Sequence, residues 1–146
     1  MMNNKSLPAI LSISVFLLSF ILQQSEPWAE KQLMPPAELA KIISDSLAKK
    51  PTIFSIGPSA TIPGAIDIGA AKEKTNLEKF KKELDKLPKD AGIVIYCGCC
   101  PFKDCPNIRP AFAMVNEMKF TNAKLLNLST NLKTDWIDKG YPVSKP

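Results

Sequence analysis

The sequence predicts an α/β domain, a three-layer sandwich in which a central, mostly parallel sheet carries helices on both faces. Short apolar runs typical of buried strands alternate with segments whose apolar residues recur at helical spacing. Parallel strands need cover on both faces, which the intervening helices would supply. The length of 146 residues and the 45% hydrophobic content suit one such domain with its own core.

The N-terminal segment predicts export. An almost unbroken apolar run over residues 9–22 is too short for a spanning helix but suits the core of a signal peptide. We expect a signal peptide over residues 1–29, with a cut after Ala29 or, alternatively, Ser25, and a single domain over residues 32–146. The protein would then be periplasmic or secreted. If the segment is not cleaved, it would remain as a membrane anchor, and only then is the membrane an expected partner.

In the first half of the domain, the sequence predicts two strands between two helices. A helix begins with Pro35 and Pro36, since proline is tolerated in a first turn, and Pro51 ends it. Strands are expected at 52–56 and, after a Pro-Gly turn, at 66–68. An amphipathic helix is expected at 77–87. The apolar stripe of the first helix comprises Leu39, Ile42, Ile43 and Leu47.

The second half continues the alternation. An apolar run predicts a buried strand at 93–96, and a helix follows at 107–118 with Asn107 as its N-cap. Another strand is expected at 123–128. A short helix at 132–139 ends at a glycine, and we expect Trp136 and Tyr141 to belong to the core.

All four cysteines and the only arginine lie in the loop and first helical turn that follow the strand at 93–96. The residues are Cys97, Cys99, Cys100, Cys105 and Arg109. A strand end followed by a helix start gathers backbone N–H groups and the positive end of a helix dipole. Both favour a bound anion or a thiolate, so we expect the chemistry of the protein in this loop.

Composition excludes several classes of function. The chain has no histidine, which removes Ser-His and Cys-His catalytic pairs, Cys/His zinc sites and haem attachment through CxxCH. The net charge of +5 comes from lysines scattered through the predicted helices, so no nucleic-acid partner is expected. No cofactor is expected either.

Three landmarks in the right order resemble the rhodanese-like domain of sulfurtransferases. Residues 62–65 (IPGA) are similar to the family's H-I-P-G-A turn, and 93–97 (IVIYC) to the strand that ends in the active-site cysteine. Residues 136–143 (WIDKGYPV) match its W-x-x-x-G-Y-P-V ending. The sequence departs from the family at Thr61 in place of histidine, at 55–57 and at 128–131, and its cysteine loop is about five residues longer than the common one.

The resemblance implies a sulfurtransferase in which Cys97 carries sulfane sulfur as a persulfide. The donor would be a small anion such as thiosulfate, and the acceptor a thiol. Arg109, the amide of Gly98 and Lys103 would hold the donor, since a guanidinium suits bidentate oxyanion binding. An alternative for Arg109 is a surface salt bridge with Asp104 or Glu117.

The remaining thiols admit several interpretations. Cys99, Cys100 and Cys105 are expected to be auxiliary or resolving thiols that take sulfur or a disulfide from Cys97, which would make the loop a relay or a thiol–disulfide redox site. Disulfides could instead brace the loop, although a bond between Cys99 and Cys100 would be strained. The cluster could also bind a soft ion such as Cu(I) or zinc, and a domain that keeps only the fold is the last alternative.

Overall fold

The computed structural model of the protein describes residues 25–145. Five strands and three α-helices account for most of its regular structure: β1 Leu33–Met34, α1 Pro36–Ser44, β2 Thr52–Ser55, β3 Ile66–Asp67, α2 Lys74–Leu84, β4 Ile93–Tyr96, α3 Ile108–Glu117 and β5 Ala123–Leu126. Two 3-10 helices, Glu30–Gln32 and Phe102–Asp104, and a π-helix, Lys133–Ile137, complete the described elements.

The five strands form one parallel sheet in the order β1-β5-β4-β2-β3. β4 lies at the centre, where Ile95 is in register with Phe54 of β2 and Leu125 of β5. All four residues of β4 are buried, as expected of a strand covered on both faces. The predicted α/β class with a parallel sheet is therefore confirmed.

Alternate side chains of the sheet belong to two different hydrophobic clusters. One contains Ile93, Ile95 and Cys97 together with apolar residues of α2 and α3. The other contains Val94 and Tyr96 together with residues of α1 and the π-helix. Because successive side chains of a strand point to opposite faces, these clusters lie on opposite sides of the sheet.

The C-terminal segment packs into the second cluster, as expected for Trp136 and Tyr141. Trp136 is fully buried, and its indole N–H donates to the carbonyl of Pro142 at 2.7 Å. The Tyr141 ring meets it edge-on with centroids 5.3 Å apart. These two rings therefore hold the π-helix and the tail together, away from the cysteines.

The end of one helix was predicted wrongly, and one strand was not predicted. Leu47 is 95% exposed rather than part of the α1 stripe, because α1 ends at Ser44. The carboxylate of Asp45 accepts a hydrogen bond from the backbone N–H of Leu47, a local turn that competes with helix continuation. Strand β1, which pairs with β5, was not predicted, since two residues are too short to show a period.

The predicted signal peptide falls largely on residues 1–24, outside the described residues. Within the described part, Trp28 is buried and packs edge-on against Phe102 and Phe112. A cut after Ala29 would remove this indole from the core, whereas a cut after Ser25 would keep it. Among residues 25–145, none of the helices has the length and apolar character needed to cross a bilayer.

Candidate functional site

Cys97 directly follows the central strand, at the carboxyl edge of the sheet, and is 2% exposed. Its neighbour across the sheet edge is Gly57, which follows β2. A Cβ atom on Gly57 would lie 2.4 Å from the Cys97 carbonyl oxygen and 2.7 Å from its Sγ. Only glycine fits there without displacing Cys97, a role that spacing in the sequence did not reveal.

Two backbone hydrogen bonds attach the cysteine loop to the segment that follows β5. The Leu132 N–H donates to the Gly98 carbonyl at 2.9 Å, and the Phe102 N–H donates to the Leu128 carbonyl at 3.1 Å. Gly98 has a φ of 86°, in the left-handed region that favours glycine. A Cβ on Gly98 would also lie 2.8 Å from Leu132 Cβ, so this residue determines how closely the loop approaches its support.

The structure brings all four cysteines together as free thiols. Cys99 Sγ lies 3.3 Å from Cys97 Sγ, 3.2 Å from Cys100 Sγ and 3.9 Å from Cys105 Sγ. Cys97 and Cys105 are buried, Cys100 is half-buried and Cys99 is exposed. Cys99 therefore links the buried thiols to the surface.

Asn107 occupies the N-cap position of α3, as predicted, but its side chain makes no capping hydrogen bond. Its amide nitrogen instead donates to Cys97 Sγ at 3.3 Å, while its Oδ1 accepts from the Lys72 N–H at 3.1 Å. The contact with Lys72 orients the amide, and the contact with Cys97 stabilises a thiolate. The sequence did not indicate this role, because an asparagine before a helix is an ordinary N-cap residue.

The surrounding thiols and amides lower the pKa of Cys97 to about 5, chiefly through the neighbouring Cys105 thiol. Burial opposes the shift, and the Cys99 N–H, the Asn107 amide and the Cys99 thiol add to it. The same cluster raises the other two pKa values. The pKa of Cys99 rises to about 12, mainly through burial, and that of Cys105 rises through its hydrogen bond with Cys97. One negative charge is therefore held on Cys97 while Cys99 and Cys105 keep their protons.

The two cationic residues predicted at the site lie beside aromatic rings. The Arg109 guanidinium is 5.5 Å from the centroid of the Trp28 ring, and the Lys103 ammonium is 5.9 Å from that of Phe102. Within residues 25–145, Arg109 forms no ion pair with Asp104 or Glu117, so the alternative of a surface salt bridge is not observed. Neither cation is hydrogen-bonded to a thiol in the described part of the chain.

A cavity of about 300 Å³ lies at the opposite, amino edge of β4. Its lining includes Lys49, Lys50 and Lys124 together with Glu38 and Asp90, and it contains no thiol. The charged groups of this lining are ammonium and carboxylate groups, neither of which is a soft ligand. The cysteine loop is therefore the stronger candidate for the chemistry of this domain.

Comparisons with protein-family models, curated proteins and solved structures gave no match for this chain. The chemistry of the described thiols is therefore the basis from which a function can be inferred. A buried thiolate beside an exposed thiol can accept a sulfur atom, form a disulfide with its neighbour, or bind a soft ion.

Proposed function

We propose that this chain is a rhodanese-like sulfurtransferase in which Cys97 accepts sulfane sulfur from a small anion such as thiosulfate. The observation that carries the proposal is the position of Cys97 at the end of β4, where the Cys105 thiol, the Cys99 N–H and the Asn107 amide lower its pKa. Thiolates rather than thiols are the nucleophiles of sulfur chemistry. No histidine is needed to generate this one.

In the first step, the Cys97 thiolate attacks the outer sulfur of thiosulfate. A new bond forms between Cys97 Sγ and that sulfur, the S–S bond of thiosulfate breaks, and sulfite leaves with the bonding electrons. The product is a persulfide on Cys97. Because Cys97 is only 2% exposed, a small donor suits the site better than a protein donor.

In the second step, the exposed Cys99 takes the sulfur and presents it to an acceptor thiol. Cys99 gives its proton to the neighbouring persulfide, and the resulting Cys99 thiolate attacks the outer sulfur. Cys97 leaves as a thiolate and the protonated persulfide is now on Cys99, so no net oxidation occurs. Cys99 Sγ lies 3.3 Å from Cys97 Sγ, which makes the transfer local. A thiol of low pKa is a good leaving group, so the charge state of Cys97 favours this direction.

Arg109 and Lys103 are the cations of the loop, and we propose that they attract the anionic donor. Each remains available for an anion, since its described contact is with an aromatic ring rather than with a carboxylate. Gly98 contributes by shaping the loop around Cys97. Replacing Arg109 would raise the KM for thiosulfate more than it lowers kcat.

The test is persulfide formation on the full-length chain, purified reduced and treated with thiosulfate. Mass spectrometry of its peptides should locate one added sulfur on Cys97 and release of one sulfite per chain. Cys97→Ser should abolish loading, Cys99→Ser should load but transfer slowly to an external thiol, and Cys100→Ser is the matched control. Normal loading in the Cys97→Ser protein would contradict the proposal.

The separation of 3.3 Å between Cys97 Sγ and Cys99 Sγ favours thiol–disulfide exchange as a second candidate function. An oxidised loop with a bond between these two sulfurs would oxidise a partner dithiol and become reduced itself. Counting free thiols in the native protein before and after mild reduction tests this. Four free thiols in both samples would reject the redox function and leave sulfur transfer standing.

A further inference from the structure

Three of the four thiols are close enough to share one ion. The Sγ atoms of Cys97, Cys99 and Cys105 all lie within 4.8 Å of one another. Three thiolates around an ion at about 2.3 Å each would be separated by about 4 Å, from the usual metal–thiolate bond length. The Sγ separations of 3.3 and 3.9 Å from Cys99 lie at or below that value, so small outward side-chain rotations would complete the set.

The ligand set is entirely sulfur. The chain has no histidine, and no carboxylate belongs to the group of described ligands. Thiolates without nitrogen or oxygen ligands select soft ions, of which Cu(I) and zinc are the usual choices. Structural zinc takes four ligands in a tetrahedron, whereas this group supplies three. The fourth thiol, Cys100, is in contact with Cys99 alone among the described thiol contacts.

The trio is held in place before any ion arrives. Cys97 and Cys105 are 2% and 1% exposed, which excludes water from two of the ligands. Cys99 is exposed and provides an entrance. The loop is attached through Gly98 and Phe102, and the Asn107 amide orients Cys97. Such outer contacts raise metal affinity by fixing the ligands.

We propose that Cys97, Cys99 and Cys105 bind one Cu(I) ion as three thiolates, a copper-binding function that does not depend on sulfur transfer. Binding of the ion displaces the protons of Cys99 and Cys105 to solvent. The two functions use the same Cys97 sulfur, so copper and sulfane sulfur exclude each other. Bound copper would therefore prevent persulfide formation, and a persulfide on Cys97 would prevent copper binding.

The test is anaerobic titration of the reduced, metal-free, full-length chain with Cu(I) against a coloured Cu(I) chelator. We expect one equivalent retained per chain and, by X-ray absorption, three sulfur neighbours at about 2.3 Å. Cys99→Ser and Cys105→Ser should each weaken retention at least about tenfold, on the scale of losses at metal sites. Cys100→Ser, which changes a thiol outside the trio, should retain copper normally.

Several outcomes would overturn the copper site. These are no retained copper, a Cys100→Ser protein as impaired as Cys99→Ser, or preferential retention of zinc with four sulfur neighbours. Cys99→Ser changes an exposed residue, so its folding is not at risk if the buried Cys105→Ser variant is unstable. Thiosulfate loading of the parent chain with and without one equivalent of Cu(I) separates the two functions. Failure to load without copper would contradict sulfur transfer alone, whereas equal loading in both samples would contradict the copper site.

Discussion

The charge on Cys97 depends on a side chain that lies next to it in space but ten residues later in the chain. Asn107 donates its amide N–H to the Cys97 sulfur, and the Lys72 N–H fixes which end of the amide faces the thiol. A donor favours the thiolate, whereas a carboxylate at the same place would oppose it. Asn107 therefore adds to the stabilisation of the thiolate that the Cys105 thiol and the Cys99 N–H provide.

Asn107→Asp should raise the pKa of Cys97 from about 5 by about one to three units. The substitution keeps the shape and the contact with Lys72 but exchanges a hydrogen-bond donor for a negative charge. In the parent protein the thiolate should persist as the pH falls to about 5, since ionised Cys97 is lost only below its pKa. Thiolate ultraviolet absorbance, corrected with Cys97→Ser, measures the midpoint.

Asn122→Asp is the matched control, because it makes the same chemical change at an exposed residue beside the amino edge of the sheet. Its titration should coincide with that of the parent protein. A midpoint near 9 in the parent, or an unchanged midpoint in Asn107→Asp, would show that the Asn107 contact does not control the ionisation of Cys97.

At the scale of elements, the position of the cysteine loop depends on its contact with the segment after β5. Gly98→Ala would place a methyl group against Leu132 and would force a side chain into the left-handed backbone region. The backbone term costs about 1–2 kcal/mol and overpacking about 1–3 kcal/mol. We expect the free energy of unfolding to fall by about 2–5 kcal/mol, measured by urea denaturation, with weaker sulfur loading.

Gly64→Ala separates these two terms. Gly64 has a similar φ of 76°, but a Cβ there has no neighbour within 4 Å. This variant should lose only about 1–2 kcal/mol and should load sulfur normally. Equal losses of stability and loading in both variants would mean that the contact with Leu132 does not position the loop.

Elements with long apolar patterns were predictable, whereas contacts between distant segments were not. The strand that became β4 matches its predicted bounds, and α3 differs from its prediction by one residue at each end. The location of the thiols followed from the same pattern. Gly57 was not identified as part of the site, and Asn107 was identified only as a cap, because their roles arise when parallel strands bring their carboxyl ends together.

At the scale of the whole molecule, one segment connects the N-terminal region to the cysteine loop. Trp28 packs against Phe102 of the loop and Phe112 of α3, and Arg109 lies over its ring. The sequence indicated an exported chain with a cut after Ala29 or Ser25, since nothing local marks Trp28 as a core residue. If the chain is exported, as its sequence predicts, the packing of Trp28 favours the earlier cut.

Trp28→Ala should lower the free energy of unfolding by about 3–5 kcal/mol, the usual range for a buried tryptophan. Trp28→Phe should cost much less, because the indole N–H has no hydrogen-bond partner among the described residues and the aromatic packing is retained. A chain that starts at Glu30 should behave like Trp28→Ala, and one that starts at Glu26 like the parent domain.

Urea denaturation of the four proteins measures these differences in stability, and mass spectrometry of the exported protein should find Trp28 retained. Equal stability of the two shortened chains would show that the indole is dispensable, and removal of Trp28 from the exported protein would exclude it from the mature core.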